Sequence, residues 1–84
     1  MKKQYYIKGI IQDGENEYET DFLMECEEKD KDKELHNFLK DFFGEETKLE
    51  DGIYTSFLRS IRIRDITEIP KEDFEILKKY IFLI

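Results

Sequence analysis

The feature that most constrains the fold of this chain is a strict alternation of residue types over residues 17–26. Residues of one parity are mostly apolar or β-prone: Tyr18, Thr20, Phe22, Met24 and Cys26. Residues of the other parity are mostly acidic: Glu17, Glu19, Asp21, Leu23 and Glu25. Because successive side chains of a strand point to opposite faces, this pattern predicts a strand with one face on a core and the other in water.

A second β-prone segment, residues 4–12, precedes the alternating one, and a polar stretch that contains Asp13-Gly14 joins the two. An Asp-Gly pair between two such segments is typical of a tight turn between antiparallel strands. The sequence therefore predicts a β-hairpin with the loop 13–16 at its tip.

A helix is predicted after the hairpin, because apolar residues recur there at the spacing of one helical face. These residues are Leu35, Phe38, Leu39, Phe42 and Phe43. Asp30 or Asp32 is expected to cap the start of the helix by accepting backbone N–H bonds, and Gly44 is expected to end it. A polar loop, residues 45–52, should follow, with Leu49 as its one apolar anchor.

The remaining chain predicts a third strand and a second helix. The strand spans roughly 58–67, and Ile66 breaks the parity set by Ile61, which indicates a bulge or strand end near Arg64-Asp65. Pro70 suits a first helical turn, and the apolar residues beyond it predict a helix over about 70–82.

The order ββαβα indicates an α+β fold: a small antiparallel sheet of about three strands with two helices packed on one face. At 84 residues the chain is expected to be a single domain, residues 1–84. Its one cysteine, Cys26, cannot form an internal disulfide. A lone thiol fits a reducing compartment, and no segment resembles a signal peptide or a membrane span, so we expect a cytoplasmic protein.

The charges of this acidic chain are divided unevenly along its length. Sixteen of its 21 carboxylates lie between Asp13 and Asp51 beside five lysines and no arginine, a net charge of −11. The other residues hold nine Lys and Arg against five acids, a net charge of +4. Such a layout governs which partners are attracted and how fast they arrive. By charge, the expected partners are basic surfaces.

The acidic side of the alternating segment, with the acidic residues that follow it, is the leading candidate for a partner-binding surface. It comprises Glu17, Glu19, Asp21, Glu25, Glu28, Asp30 and Asp32. Same-face residues of a strand lie about 6.6–6.8 Å apart, close to the spacing of phosphates along a nucleic-acid strand. The surface could therefore imitate a phosphate backbone toward a basic, nucleic-acid-handling protein. The alternative is a solvated outer face that keeps a small protein soluble.

A second candidate site is a basic and aromatic sheet face for single-stranded RNA, in which arginine pairs with phosphate and aromatic rings stack on bases. Its residues are Tyr6, Lys8, Arg59, Arg62 and Arg64. The alternative is that these arginines pair across strands with Glu17, Glu19 or Asp21.

No residue pattern predicts catalysis, a metal or a cofactor, and we expect a protein that is not an enzyme. His36 is the only histidine, the chain has no serine nucleophile motif, and Cys26 alternates with core residues, so neither a catalytic triad nor a zinc site can be assembled from recognisable parts. The carboxylates from Asp30 onward are spaced like a calcium loop, but Leu35 occupies the position that requires glycine. The sequence therefore favours a binding function.

The last five residues, 80–84, are all apolar, which is more than one buried helix face requires. One interpretation is a hydrophobic contact through Phe82 with a partner or with a second copy, as in a homodimeric structural protein. The other is that the segment leaves the helix and packs against the sheet.

In its size, its acid load and its α+β build without catalytic residues, the chain resembles small phage-encoded anti-defence proteins, including anti-CRISPR inhibitors. Several of those present acidic surface to a basic nucleic-acid channel. The resemblance implies an inhibitory module that uses its acidic face against such a partner, and no individual residue carries it. A small RNA-binding module and a homodimeric structural protein stay open as alternatives.

Overall fold

A computed structural model of the chain describes residues 1–43, 48–50, 53–55 and 59–84. Five strands and two α-helices lie within these ranges, and a short 3-10 turn, Glu28–Asp30, precedes the first helix. In chain order they are β1 (Lys2–Asp13), β2 (Asn16–Glu27), α1 (Lys31–Phe43), β3 (Lys48–Glu50), β4 (Ile53–Thr55), β5 (Arg59–Ile69) and α2 (Lys71–Leu77).

The predicted hairpin is confirmed and is longer than the sequence pattern indicated. β1 and β2 pair in one unbroken antiparallel register from Lys2 opposite Glu27 to Asp13 opposite Asn16. Only two residues turn the chain between the strands, and the first of them, Gly14, has a φ of 64°. Glycine adopts this left-handed conformation without the steric cost that a Cβ would bring.

The fold is α+β, as predicted, but the sheet has five strands in the order β2-β1-β5-β4-β3 where about three were expected. The four pairings between these strands are antiparallel, and one isolated bridge, between Leu23 and Leu83, is parallel. The two additional strands, β3 and β4, have three residues each, too few to give a readable alternation. β3 falls within the predicted loop 45–52, and the rest of that loop lies outside the described residues.

The main core lies between the sheet and α1. Ile7 of β1, Leu39 of α1 and Ile61 of β5 are completely buried in it, and Met24 and Leu35 are nearly so. Each such side chain contributes about 1.5–3 kcal/mol relative to remaining exposed. The predicted apolar stripe of α1 is thus confirmed at Leu35 and Leu39, and α1 ends at Phe43, one residue before the expected stop, which itself lies outside the described residues.

The two helices lie on opposite faces of the sheet, so the prediction that both pack on one face is wrong. α2 contacts β1, and its buried side chain, Phe74, lies outside the core beneath α1. Leu23 is also fully buried outside that core, and its pairing with Tyr6 puts it on the face opposite Phe22. The reason is topological. α1 connects β2 to β3, and α2 connects β5 to the C-terminal segment beside β2; each connection joins parallel strands, and the two cross the sheet in opposite directions. Because right-handed connections are strongly preferred, opposite directions place the two helices on opposite faces.

The irregularity predicted in the third long strand is confirmed. Lys8 pairs with Asp65, and the next residue, Gly9, pairs with Ile63, so Arg64 is an extra residue in β5. A bulge of this kind changes the parity of the strand. It therefore lets Ile61 and Ile63 on one side of the bulge and Ile66 on the other all pack against the same core.

The second helix is shorter than predicted and ends at Leu77. After a turn the chain runs along the outer edge of β2, where the backbone N–H of Leu23 donates to the Phe82 oxygen and the N–H of Ile84 donates to the Leu23 oxygen, both at 2.8 Å. The Phe82 ring lies against Phe22 and Phe38, with centroid separations of 6.5 and 5.9 Å. Of the two interpretations of the apolar C-terminus, packing against the sheet is therefore the one seen.

Candidate functional site

The candidate site is the part of the sheet face opposite α1 that α2 leaves open, toward the tip of the hairpin. Three rows of side chains run across it, one from each of β2, β1 and β5. β2 contributes Glu17, Glu19 and Asp21, here called the acidic row. β1 contributes Lys8, Ile10 and Gln12, and β5 contributes Arg62 and the bulged Arg64.

β1 separates the acidic row from the arginines. Ile10 pairs with Glu19 on one side and with Arg62 on the other, so these two charges stand two strand spacings apart, about 9–10 Å between backbones. The expectation that the arginines pair across strands with the acidic segment assumed neighbouring strands, and the sheet order does not provide them for Arg62 and Arg64. Between described residues, neither Arg62 nor Arg64 forms a salt bridge.

The acidic row likewise forms no salt bridge with any residue that the structure describes. Glu17 and Glu19 are exposed, and no salt bridge reaches either of them from the described part of the chain. The cation nearest in register is Lys8, opposite Asp21, but its ammonium lies over the Tyr6 ring, 5.6 Å from the centroid. The outer strand therefore presents net negative charge directly to solvent.

One carboxylate of the row is held in place by a tyrosine. The Tyr6 hydroxyl donates a hydrogen bond of 2.9 Å to Asp21, and both side chains are half-buried. This bond is the main reason that the pKa of Tyr6 is raised above its ordinary value, and burial adds to the effect. Asp21 is therefore a fixed acceptor, whereas Glu17 and Glu19 are free to turn toward a partner.

The other acidic residues predicted for this surface do not join the row. Glu25 has the parity of the row but lies beyond Leu23 and accepts a 2.8 Å hydrogen bond from Gln4. Glu28 forms a 3.6 Å ion pair with Lys3, which also contacts Glu68 at 3.3 Å. The pKa of the Lys3 ammonium is raised, first by its hydrogen bond to Glu68 and then by the charge of Glu28.

Asp30 and Asp32 are separated from the row by the turn into α1. Asp30 ends the 3-10 turn, and Asp32 lies in the first turn of α1, on the opposite side of the sheet. There the pKa of the buried Tyr54 is raised, first by burial and then by the charge of Asp32. The predicted seven-residue acidic surface therefore divides between two faces, and only Glu17, Glu19 and Asp21 lie together in one row.

The second predicted site is brought together in part. Tyr6, Lys8 and Arg64 line an open groove of about 620 Å³ whose opposite wall includes Glu19 and Asp21. Arg62 lines an adjoining hollow of about 150 Å³. Arg59 pairs with Asp13 and shares the parity of the buried Ile61, so it belongs to the other face.

Two features of β2 were not found by sequence reasoning. Tyr18 lies on the acidic strand but is half-exposed, because β2 extends beyond the core toward the hairpin tip. The outer position of β2 was also missed, since nothing in a single strand's alternation reveals its neighbours.

No other described group suggests a chemical site. Cys26 is a buried free thiol whose pKa is raised by burial. Among the residues that the structure describes, no three His, Cys, Asp or Glu side chains come close enough to hold a metal ion. Within the same residues, no helix has the length and apolarity needed to cross a membrane.

Comparisons of the chain with family models, with curated proteins and with solved structures found no match.

Proposed function

We propose that this chain is a non-enzymatic binding protein whose acidic row docks on a basic, nucleic-acid-binding surface of a partner protein. The observation that carries the proposal is the position of the row. Glu17 and Glu19 stand exposed on the outermost described strand on their side of the sheet, with β1 between them and the arginines of β5. An unneutralised row of this kind attracts basic surfaces and accelerates their encounter.

The regular spacing of the row favours partners that bind nucleic acid. Strand geometry sets the backbone positions that carry its three carboxylates at intervals of about 6.6–6.8 Å along a nearly straight line. Proteins that bind nucleic acid hold lysines and arginines in rows that follow a phosphate backbone, and a row of carboxylates can occupy them. The module would then act as an inhibitor by competing for that surface.

A binding surface also needs a desolvated contact beside its charges, because exposed ion pairs contribute little affinity. Ile10 is half-buried beside Glu19 on the face of the row and can supply this contact, whereas Tyr18, 49% exposed on the same strand, points to the other face of the sheet. Tyr6 is less suited to this role, since its hydroxyl is already engaged by Asp21.

The test is a pull-down from host lysate with wild type, with Glu17→Lys/Glu19→Lys and with a matched control, Glu72→Lys/Asp73→Lys. The control makes the same charge change at two exposed positions of α2, away from the row. A nuclease-treated half of each lysate separates protein-bound from nucleic-acid-bound material. We expect a nucleic-acid-binding protein to be retained after nuclease by wild type and control and lost with the double variant. Equal retention by all three would contradict the proposal.

A second candidate function, RNA binding, is favoured by one observation: Arg62 and Arg64 form no salt bridge between described residues and lie beside Tyr6 and Lys8 on one face. RNA binding would be supported if wild type retains RNA from the lysate that received no nuclease and Arg62→Glu/Arg64→Glu does not. Lys71→Glu/Lys79→Glu, an equal charge change on exposed residues of α2 and the turn after it, is its control.

A further inference from the structure

The backbone of Leu23 shows how the outer edge of β2 can be used. Both its N–H and its C=O bond to the C-terminal segment, at 2.8 Å each, and none of this bonding involves β1. In an antiparallel pair, residues that turn both groups away from their partner strand recur at every second position. Leu23, opposite Tyr6, is such a residue.

The acidic row has the same parity as Leu23, so its backbone also points outward. Glu17, Glu19 and Asp21 pair with Gln12, Ile10 and Lys8 in the unbroken register of the hairpin. The C-terminal segment pairs with the edge only at Leu23, so within the described chain no strand covers residues 17–21. An uncovered edge of this kind is a template for a further strand.

The charge of the edge determines which strand can be added. In a pair formed with a second copy of β2, the two acidic rows would face each other, and like charges across a strand pair are destabilising. A segment with Lys or Arg at alternate positions would instead set a cation beside each carboxylate. On the opposite face of the sheet, Tyr18 and Thr20 alternate with the acidic row along β2. They would contact the residues of the added segment that lie between its Lys or Arg residues.

We propose that the edge of β2 over residues 17–21 binds an extended segment of a partner by strand addition, and that the segment alternates basic with apolar or β-branched residues. This inference rests on the proposed function, since it assigns the way in which the acidic row engages its basic partner. It adds backbone hydrogen bonds to the charge contacts, about two for each outward residue of the edge.

The probe is a synthetic peptide of alternating lysine and valine, long enough to span residues 17–21, together with two N-methylated forms. One form is methylated at its lysine amides and the other at its valine amides. The three peptides carry the same charge and the same side chains. Because only one of the two sets of amides faces β2 in an added strand, one methylated form should lose at least about tenfold in affinity and the other should bind like the parent. The set that matters also reveals whether the added strand is parallel or antiparallel.

Amide hydrogen exchange read by NMR locates the bound peptide on the protein. The amides of Glu17, Glu19 and Asp21 should exchange more slowly with the peptide bound, while those of Tyr18 and Thr20, which already face β1, should change little. Protection of the first three amides in the free protein, rising with protein concentration, would show a second copy on the edge and would overturn the proposal.

The possible outcomes separate this inference from the proposed function. Equal binding of all three peptides, still lost in Glu17→Lys/Glu19→Lys, would overturn strand addition and leave docking by charge intact. Retention of the lysate partner by wild type without any binding of the peptides would overturn it as well. If Glu17→Lys/Glu19→Lys binds the peptides as tightly as wild type does, both strand addition and the proposed function are contradicted.

Discussion

Tyr6 donates its phenolic hydrogen to Asp21 at 2.9 Å, diagonally across the β1–β2 pair, whereas the hydroxyl of its neighbour Tyr5 is buried without a partner among the described residues. Consecutive tyrosines of one strand thus point to opposite faces and meet opposite environments. On the Tyr6 face a hydrogen bond fixes one end of the acidic row. On the Tyr5 face a polar atom sits in the main core.

This contrast predicts opposite effects for two chemically identical substitutions. Tyr6→Phe leaves Asp21 without its donor and should lower the free energy of unfolding by about 1 kcal/mol. Tyr5→Phe removes a buried hydroxyl that has no hydrogen bond in the described structure, and it should leave stability unchanged or raise it by up to about 1 kcal/mol. Urea unfolding of the two variants measures both effects. A Tyr5→Phe variant less stable than Tyr6→Phe would contradict the assignment of the two environments.

The same hydrogen bond predicts a loss of stability in alkali. The folded pKa of Tyr6 is raised above its ordinary value of 10.0, mainly because the neutral hydroxyl donates to Asp21. A raised folded pKa means that the stabilising contribution is fully present below about pH 10 and is lost as the pH rises through the folded pKa. Unfolding free energy measured from pH 9 upward should therefore fall with pH.

The contribution of Tyr6 to this fall can be isolated, because burial also raises the pKa of Tyr5 and Tyr54. Tyr6→Phe should show a shallower alkaline decrease than wild type, and the ultraviolet titration of its remaining tyrosines should lack one late-ionising group. Identical alkaline slopes for the two proteins would show that the bond to Asp21 does not discriminate between the protonation states of Tyr6.

Charge reversal in the acidic row should act on the rate of association more than on stability. Glu17→Lys/Glu19→Lys changes two exposed residues without touching the Tyr6–Asp21 bond. Against the basic partner or the lysine–valine peptide, it should lower the association rate constant by about tenfold or more at low salt, and added salt should narrow the difference. Stopped-flow mixing across a salt series measures both quantities. The free energy of unfolding serves as the control and should stay within about 0.5 kcal/mol of the wild-type value.

The parts of the fold that could be read from the sequence are those fixed by local periodicity. The alternation along β2 and the apolar stripe of α1 each follow from the geometry of one element, and both were found. The bulge at Arg64 was found for the same reason, since a break in parity is visible within one strand. Local pattern also identified the acidic row, because its members share one face of one strand.

Relationships between elements could not be read in this way. The position of β1 between β2 and β5 separates Arg62 and Arg64 from the acidic row, and no single strand encodes its neighbours. The face that α2 covers follows from the direction of its crossover, which becomes known only once the edge bonds of Leu23 are seen. Both features arise from long-range pairing, for which the sequence provides no repeating signal.

The pairing of the C-terminal segment with β2 gives the last prediction. Ending the chain after Lys79 removes both hydrogen bonds to Leu23 and the packing of Phe82 and Ile84, so we expect a loss of about 2–4 kcal/mol in the free energy of unfolding. A milder variant, Phe82→Ala, keeps the backbone bonds and should lose less. Tyr80→Ala is the matched control, since that side chain is 82% exposed, and it should change stability little.

Light scattering on the truncated protein then distinguishes the role of the segment as part of the fold from a role in self-association. The acidic row borders the uncovered Leu23, and like charges oppose pairing of two such edges, so the truncated protein should keep the oligomeric state of the full chain at low salt. A full chain that is dimeric and becomes monomeric on truncation would instead assign residues 80–84 to a subunit interface, with their packing on Phe22 serving only to position them.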